Sequence, residues 1–152
     1  MLDVGCGNGA TAMHLATTLG LDVVGVDIDP DQIREATLAA PNTPGVRFLV
    51  ADATRLPFPD DQFDFVCTNK TTHHIPDWQQ AITEMVRVLK PGGHLIYTDF
   101  VAPFGRRFPT RAGINKLASH LALQRVRQRS SPFRYTVILR TAGDAAPGTT
   151  AT

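Results

Sequence analysis

Apolar residues along this chain follow two alternating patterns. Some form short continuous runs, as at residues 23–26, and such runs are typical of buried parallel strands rather than of a sheet with one face in water. Others recur at spacings of three and four, as Ile82, Met85, Val86 and Leu89 do, which predicts the buried face of a helix. The continuous runs predict strands at residues 1–4, 22–27, 46–51, 63–68 and 94–99.

Capping and turn residues predict where the helices begin and end. Gly20 is a favourable residue just after the first helix, and Asp29 followed by Pro30 is a favourable start for the second. Asp77 can cap the third helix, which the turn at residues 91–93 should end. The predicted helices are residues 10–19, 30–40, 77–90 and 110–121, and two further strands are predicted near residues 122–129 and 134–140.

Strands that alternate with helices predict an α/β fold, with a Rossmann-like doubly wound and mostly parallel sheet covered on both faces. The chain has 152 residues, of which 43% are hydrophobic and 19% charged, and these values fit a single globular domain. We expect this domain to span residues 1–141. The small and polar residues 142–152 are expected to form a disordered tail.

Several classes of protein are disfavoured by the composition. No apolar run is long enough to span a bilayer, and the first residues do not resemble a signal peptide. Cys6 and Cys67 are too few for a disulfide framework and form no C-x-x-C pair. The sequence therefore predicts a cytoplasmic protein with neither a membrane partner nor a metal site.

The net charge of +1 conceals an asymmetry between two parts of the chain. Residues 1–99 contain six Lys/Arg and thirteen Asp/Glu, a net charge of −7, whereas residues 100–152 contain nine and one, a net charge of +8. Such a division can indicate an anionic partner. Alternatively, the two parts pack together and arginines protect the edge of the sheet, as Arg125, Arg127 and Arg129 would on an edge strand. We prefer the second interpretation.

A glycine loop follows the first predicted strand. Gly5, Gly7 and Gly9 lie between that strand and the next helix, with Asp3 two residues before the first glycine. A strand, a glycine turn and a helix N-terminus together form a place where a ligand can contact the backbone. The spacing is G-x-G-x-G rather than the G-x-G-x-x-G of dinucleotide sites, which argues against a nicotinamide dehydrogenase.

Five segments in order resemble the class I S-adenosylmethionine-dependent methyltransferases, particularly the small-molecule group. The resemblance is strong over residues 1–100 and weaker over residues 101–141. It implies a seven-stranded sheet with an antiparallel last strand and transfer of a methyl group from S-adenosylmethionine to a small-molecule acceptor. The matching segments are Leu2–Gly9, Val24–Ile28, Ala51–Phe58, Phe63–Ile75 and Leu89–Gly93.

The resemblance also implies the residues that bind the cofactor. Asp27 would accept from the ribose hydroxyls, although it could instead cap the following helix. Asp52 would accept from the adenine amino group, although it could instead stabilise its own turn. Ile28 would lie against the adenine ring. The implied cofactor-binding residues are Asp3, Gly5, Cys6, Gly7, Asp27, Ile28, Asp52, Ala53 and Asn69.

His73 and His74 are the candidate catalytic residues. They follow the fourth strand, where this family places residues near the reactive methyl group, and histidine exchanges a proton near neutral pH. Each could equally pack beneath its loop or contact the next helix. The loop lacks the Asn-Pro-Pro-Tyr signature of nucleic-acid methyltransferases and no aromatic-rich basic groove is evident, so no nucleic-acid partner is predicted.

Members of this family usually have at least one helix before the glycine motif, whereas this chain begins inside the first strand. We therefore expect a truncated N-terminus, a shortened first strand, a cofactor site open on one side and a tendency to self-associate. The alternative function is a non-catalytic module of the same fold that binds a cofactor or a partner.

Overall fold

The computed structural model describes residues 1–100, 109–131 and 134–143. These residues contain a seven-stranded sheet in the order β3-β2-β1-β4-β5-β7-β6, in which β7 runs antiparallel to both of its neighbours and the first five strands are parallel. The predicted fold class is confirmed. The strands are β1 Leu2–Val4, β2 Val23–Asp27, β3 Val46–Val50, β4 Phe63–Asn69, β5 Leu89–Phe100, β6 Gln124–Ser130 and β7 Arg134–Arg140.

Three of the helices begin directly after a residue whose side chain caps them. The side chain of Asp29 accepts from the N–H of Asp31, that of Asp77 from the N–H of Gln80, and that of Thr110 from the N–H of Gly113. These bonds satisfy amides that have no partner within the helix. The helices are α1 Ala10–Leu19, α2 Pro30–Ala39, α3 Trp78–Arg87 and α4 Arg111–His120, and a short 3₁₀ helix spans Thr72–His74.

The predicted end of the third helix is wrong. The helix stops at Arg87 rather than near Lys90, because the N–H groups of Gln62 and Phe63 bind the carbonyl of Val88 and draw the chain into the sheet. β5 then begins at Leu89, opposite Phe63, and the turn predicted at residues 91–93 becomes an irregularity within that strand. Pairing with β4 therefore outweighs the helical spacing of the sequence.

The two faces of the sheet have cores of different size. On one face, apolar residues of β1, β4, β5 and β7 pack against α3 and α4 in a large cluster that includes Met85 and Tyr97. On the other face a small cluster beneath α1 consists of Ala12, Ala16 and Val23, with partly buried neighbours such as Phe48. Phe65 and Phe100 are exposed.

The structure describes the two ends of the sequence to different extents. β1 lies between β2 and β4, at the centre of the sheet. β6 is an edge strand, and Arg125, Arg127 and Arg129 are exposed along it, as the alternation predicts. The carbonyl of Ala142 accepts from the N–H of Gly92, whereas residues 144–152 of the predicted tail lie outside the described residues. Among the described residues, no helix is long and apolar enough to cross a membrane.

Candidate active site

The glycine loop adopts a conformation that residues with side chains rarely adopt. Gly5, Gly7 and Gly9 have φ angles of 75°, 52° and 77°, in the left-handed region that glycine enters easily. A Cβ atom on Gly9 would also lie 2.5 Å from the Phe48 ring. The loop joins β1 to α1, and because β1, β2 and β4 are parallel neighbours, the loops that follow them meet at one edge of the sheet.

Asp27, the last residue of β2, holds this loop. Its Oδ2 accepts from the N–H of Gly7 at 2.8 Å, and its Oδ1 accepts from the N–H of Asp29 at 3.1 Å. Asp29 rather than Asp27 caps α2. A carboxylate has about four acceptor positions, so each oxygen of Asp27 can accept a further hydrogen bond.

Asp3 is a buried carboxyl group with a single neighbouring donor. Its side chain is in a residue that is 2% exposed, and Cys67 Sγ donates to Oδ1 at 3.3 Å. Oδ2 is buried and has no hydrogen-bond partner among the described residues. Burial raises the pKa of Asp3 to about 6, because desolvation disfavours the charged form. A cationic ligand would therefore stabilise the charged form of the Asp3 carboxyl group.

A cavity of about 450 Å³ opens at this edge of the sheet. This volume is within the ordinary range for small-molecule and cofactor sites. Its wall is formed by the residues that follow β1, β2, β3 and β4, and it includes Lys70 and Thr71. The predicted site residues that line it are Gly5, Asp27, Ile28, Asp52, Ala53 and His74.

The wall beyond β2 and β3 combines an apolar side chain with a turn. Ile28 is 68% exposed, unusually high for a large apolar residue, and it faces the cavity. Asp52 Oδ1 accepts from both the N–H and the hydroxyl of Thr54 at 2.8 Å. Asp52 therefore does stabilise its own turn, while Oδ2 is left to accept from a ligand. Ala53 is buried beside it.

The other five predicted site residues lie outside the cavity lining. Cys6 is buried with its Sγ against β2, and burial raises its thiol pKa to about 12. Gly7 is held by Asp27 as described above. Asn69 ends β4 and is exposed. Of the remaining two, Asp3 lies beneath the glycine loop and His73 lies beside it.

The two histidines have different surroundings. His73 Nδ1 lies 2.6 Å from Oδ1 of Asp99, a residue that is 1% exposed, whereas His74 is exposed and lines the cavity. The centroids of the two rings are 3.9 Å apart. An ionised carboxylate only accepts hydrogen bonds, so Nδ1 carries the proton in this pair and Nε2 can accept one. Of the two histidine rings, that of His73 is therefore the one held by a buried carboxylate.

A buried network fixes Asp99 in turn. Thr72 Oγ1 donates to Asp99 Oδ2 at 2.5 Å and is itself 2.8 Å from the Tyr97 hydroxyl. Burial raises the pKa of Tyr97, so its hydroxyl keeps a proton to donate to Thr72. The N–H groups of His73 and Phe100 also bind the carboxylate, at 3.1 Å and 2.7 Å. Asp99 thus accepts four hydrogen bonds.

Sequence analysis missed Asp99, Thr72 and Tyr97. Asp99 comes near the end of β5, just as Asp27 comes at the end of β2, and a polar residue at that edge of a parallel sheet is itself a signal. Its pairing with His73, 26 residues earlier, depends on the register of β4 against β5.

Comparison with known proteins gives the family. The family model described as a methyltransferase domain matches residues 2–97. A 2-methyl-6-phytyl-1,4-hydroquinone methyltransferase from Synechocystis sp. is 39% identical over 109 residues, covering 72% of this chain and 34% of that protein. A 27-O-demethylrifamycin SV methyltransferase from Amycolatopsis mediterranei is 40% identical over 104 residues, covering 66% and 38%. A fatty-acid O-methyltransferase from Mycolicibacterium smegmatis is 40% identical over 100 residues, covering 65% and 36%.

The chain therefore spans little more than a third of the length of these curated relatives. Solved structures agree on the fold. The [4+2]-cyclase SpnF matches with a TM-score of 0.85 at 20% identity, covering 93% of this chain and 74% of that one. A SAM-dependent methyltransferase from Methanosarcina mazei matches with a TM-score of 0.79 at 22% identity, covering 94% and 92%. With the family model matching most of its length, the chain belongs to the methyltransferase domain family, in which S-adenosylmethionine is the implied cofactor.

Proposed function

We propose that this chain forms the catalytic domain of a methyltransferase that transfers the methyl group of S-adenosylmethionine to a hydroxyl group of a small molecule. The observation that carries the proposal is the 2.6 Å contact between His73 Nδ1 and the buried Asp99 beside the cavity. Small-molecule acceptors are also what the names of the related methyltransferases state for those proteins. A cytoplasmic location and the absence of a nucleic-acid partner are part of the proposal.

The residues present fit the cofactor. The orphaned Oδ2 of Asp3 is a buried acceptor that a cationic amino group would satisfy. Asp27 has free acceptor positions for ribose hydroxyls, and Ile28 offers an exposed apolar surface for a planar base. Asp52 Oδ2 could accept from an exocyclic amine. The backbone of Gly5 and Gly7 could approach the ligand without side chains, and Cys6, Ala53 and Asn69 complete the proposed set.

In this proposal His73 is the general base and His74 contributes to the cavity wall. The cofactor supplies an electrophilic methyl group on a sulfonium. His73 Nε2 would take the proton of the acceptor hydroxyl, whose oxygen would then be able to receive the methyl group. Asp99 holds the ring in the required tautomer and stabilises the imidazolium that forms. Positioning of the acceptor oxygen by the residues of the site would supply the rest of the rate enhancement.

Two histidine variants test the assignment. His73→Ala should lower turnover by about 10²-fold or more, the usual effect of removing a general base, with affinity for S-adenosylhomocysteine near that of the wild type. His74→Ala is the matched neighbour and should change turnover far less. The measurement is formation of S-adenosylhomocysteine with a panel of phenols, hydroxy acids and amines, together with calorimetric titration of S-adenosylhomocysteine.

Three results would count against the proposal. Equal losses of turnover in both variants would indicate a structural role for the loop. Turnover of amines but of no hydroxyl compound would exclude hydroxyl methylation. Binding of S-adenosylhomocysteine without methylation of any compound would favour the alternative of a non-catalytic cofactor-binding module.

A further inference from the structure

Lys70 has a backbone conformation that its residue type rarely adopts. It follows β4 directly, and its φ angle of 57° lies in the left-handed region, where a non-glycine residue is uncommon. Its N–H donates to the carbonyl of Thr98 at 2.8 Å, which holds this conformation against β5. Observed strain of this kind persists where the surroundings fix it, and such positions cluster at functional sites.

The ammonium group of Lys70 lies near the ring of Phe100, which in turn packs against His73, the proposed general base. Nζ is 6.0 Å from the centroid of the Phe100 ring, and that ring packs edge-on against His73 with centroids 5.6 Å apart. Lys70 lines the cavity, but Phe100 and His73 do not. Lys70 therefore lies between the cavity wall and the Phe100 ring that packs against His73.

The charge of Lys70 is not balanced by the part of the chain that the structure describes. In residues 1–100, 109–131 and 134–143, no carboxylate forms an ion pair with Nζ, whereas Lys90 pairs with Asp64 at 2.8 Å. Asp99 is the nearest buried acid along β5, and its oxygens already accept four hydrogen bonds. Lys70 is also the only lysine or arginine among the described residues that line the cavity.

We propose that Lys70 binds a carboxylate of the acceptor while His73 serves the hydroxyl that is methylated, so that the substrate is a hydroxy acid. This inference rests on the proposed function. Both groups lie beside the same Phe100 ring, so the acceptor would have to be roughly as long as one aromatic ring to reach both. A single lysine with no second cation in the described wall matches a singly charged group better than a phosphate, which several donors usually hold.

The cofactor has a carboxylate of its own, and the position of Nζ argues against that partner. The proposed cofactor contacts lie around the cavity, whereas Nζ lies 6.0 Å from the ring centroid of Phe100, which is not among the residues that line it. Binding measurements can separate the two possibilities, because a lysine that holds the cofactor affects S-adenosylhomocysteine and one that holds the acceptor does not.

The test uses matched pairs of acceptors. The probes are 4-hydroxybenzoate and 3,4-dihydroxybenzoate, each with its primary amide, titrated calorimetrically into protein saturated with S-adenosylhomocysteine. Wild-type protein should bind each acid about tenfold more tightly than the amide, because a hydrogen bond to a charged group is lost in the amide. Lys70→Met, which keeps the length of the side chain, should abolish this preference, and Lys70→Arg should retain it.

The affinity for S-adenosylhomocysteine should be unchanged in both variants. The proposal is overturned if wild-type protein binds acid and amide equally or binds neither. It is also overturned if Lys70→Met weakens S-adenosylhomocysteine binding as much as it weakens acid binding, which would assign the lysine to the cofactor. A preference for the acids without any methyl transfer would leave the carboxylate site established and refute the proposed function.

Discussion

The two sides of the candidate active site are built in different ways. Around the proposed cofactor position Asp27 and Asp52 accept mainly from backbone N–H groups of the loops, as Asp27 does from Gly7 and Asp52 from Thr54. Around the proposed acceptor position side chains also bind one another between β5 and the 3₁₀ helix, as Asp99 does with His73 and Thr72. The first side depends on the shape of the backbone, the second on the identity of buried polar residues.

This difference indicates where specificity can change. A ligand recognised through backbone groups and strand-end carboxylates is retained as long as the glycine loop keeps its shape. The acceptor side has Lys70, His73 and Phe100 at its surface, on a loop and a strand end. We therefore expect substitutions on the cofactor side to alter the affinity for S-adenosylhomocysteine. Those on the acceptor side should alter turnover instead.

The largest expected effect is that of Asp99→Asn. The amide presents an N–H to His73 Nδ1 and favours the wrong tautomer, so turnover should fall by about 10²-fold or more. Affinity for S-adenosylhomocysteine should remain within about twofold, and the pH profile of the remaining activity should change. Tyr97→Phe, which removes only the outer hydroxyl of the network, is the control and should retain most activity. If Asp99→Asn lowered the affinity for S-adenosylhomocysteine as much as it lowers turnover, the proposed difference between the two sides would be refuted.

The next effect is that of Asp27→Ala. Loss of hydrogen bonds to a charged acceptor, each worth roughly 1.5–3 kcal/mol, should weaken S-adenosylhomocysteine binding by at least about tenfold. Thermal stability should also fall, because Gly7 and Asp29 lose an acceptor. Asp29→Ala removes the helix cap alone and should lower stability without changing affinity. Unchanged affinity in Asp27→Ala, measured by calorimetry, would refute the ribose assignment.

The smallest effect concerns Asp3 and the pH dependence of stability. Its raised pKa means that the folded state holds a proton that the unfolded state releases, so wild-type stability falls as pH rises from about 4 to about 6. Asp3→Asn cannot ionise. It should match the wild type near pH 4 and exceed it at pH 7 by about 1 kcal/mol, since each pKa unit corresponds to about 1.4 kcal/mol and an amide recovers only part of it. Urea denaturation at both pH values measures this difference.

If Asp3→Asn is no more stable than the wild type at pH 7, the buried carboxylate is not a source of strain. The same variant should bind S-adenosylhomocysteine more weakly. Stability gained together with affinity lost is expected of a residue kept for binding rather than for folding.

Much of the fold follows from the sequence because its signals are local. Continuous apolar runs mark β2 and β4, and Asp29 and Asp77 cap their helices as predicted. The end of α3 was mispredicted because the carbonyl of Val88 is taken by a loop some 25 residues earlier in the chain, at Gln62 and Phe63, and helical spacing does not report such pairing.

The site residues likewise fall into those that local sequence signals mark and those that only the folded structure reveals. Asp27, Asp52 and His73 could be proposed because motifs and strand ends mark them. Lys70 and Asp99 were not proposed, since the first is distinguished by its φ angle, and the strand-end position of the second does not reveal its partner His73 in the 3₁₀ helix after β4. The predicted roles of the site residues remain predictions that the variants above can test.

The contact between Gly5 and Thr71 bears on how this enzyme family could be engineered. A Cβ atom on Gly5 would lie 2.1 Å from Cγ2 of Thr71, so the space beside the glycine is already filled by the loop that follows β4. The loop that would select the acceptor therefore rests directly on the loop that would hold the cofactor. Exchanging residues 70–76 for those of a relative is not a modular operation. A transplanted loop with a bulkier residue at position 71 would displace the glycine turn, and a change of substrate would bring an unintended loss of cofactor affinity.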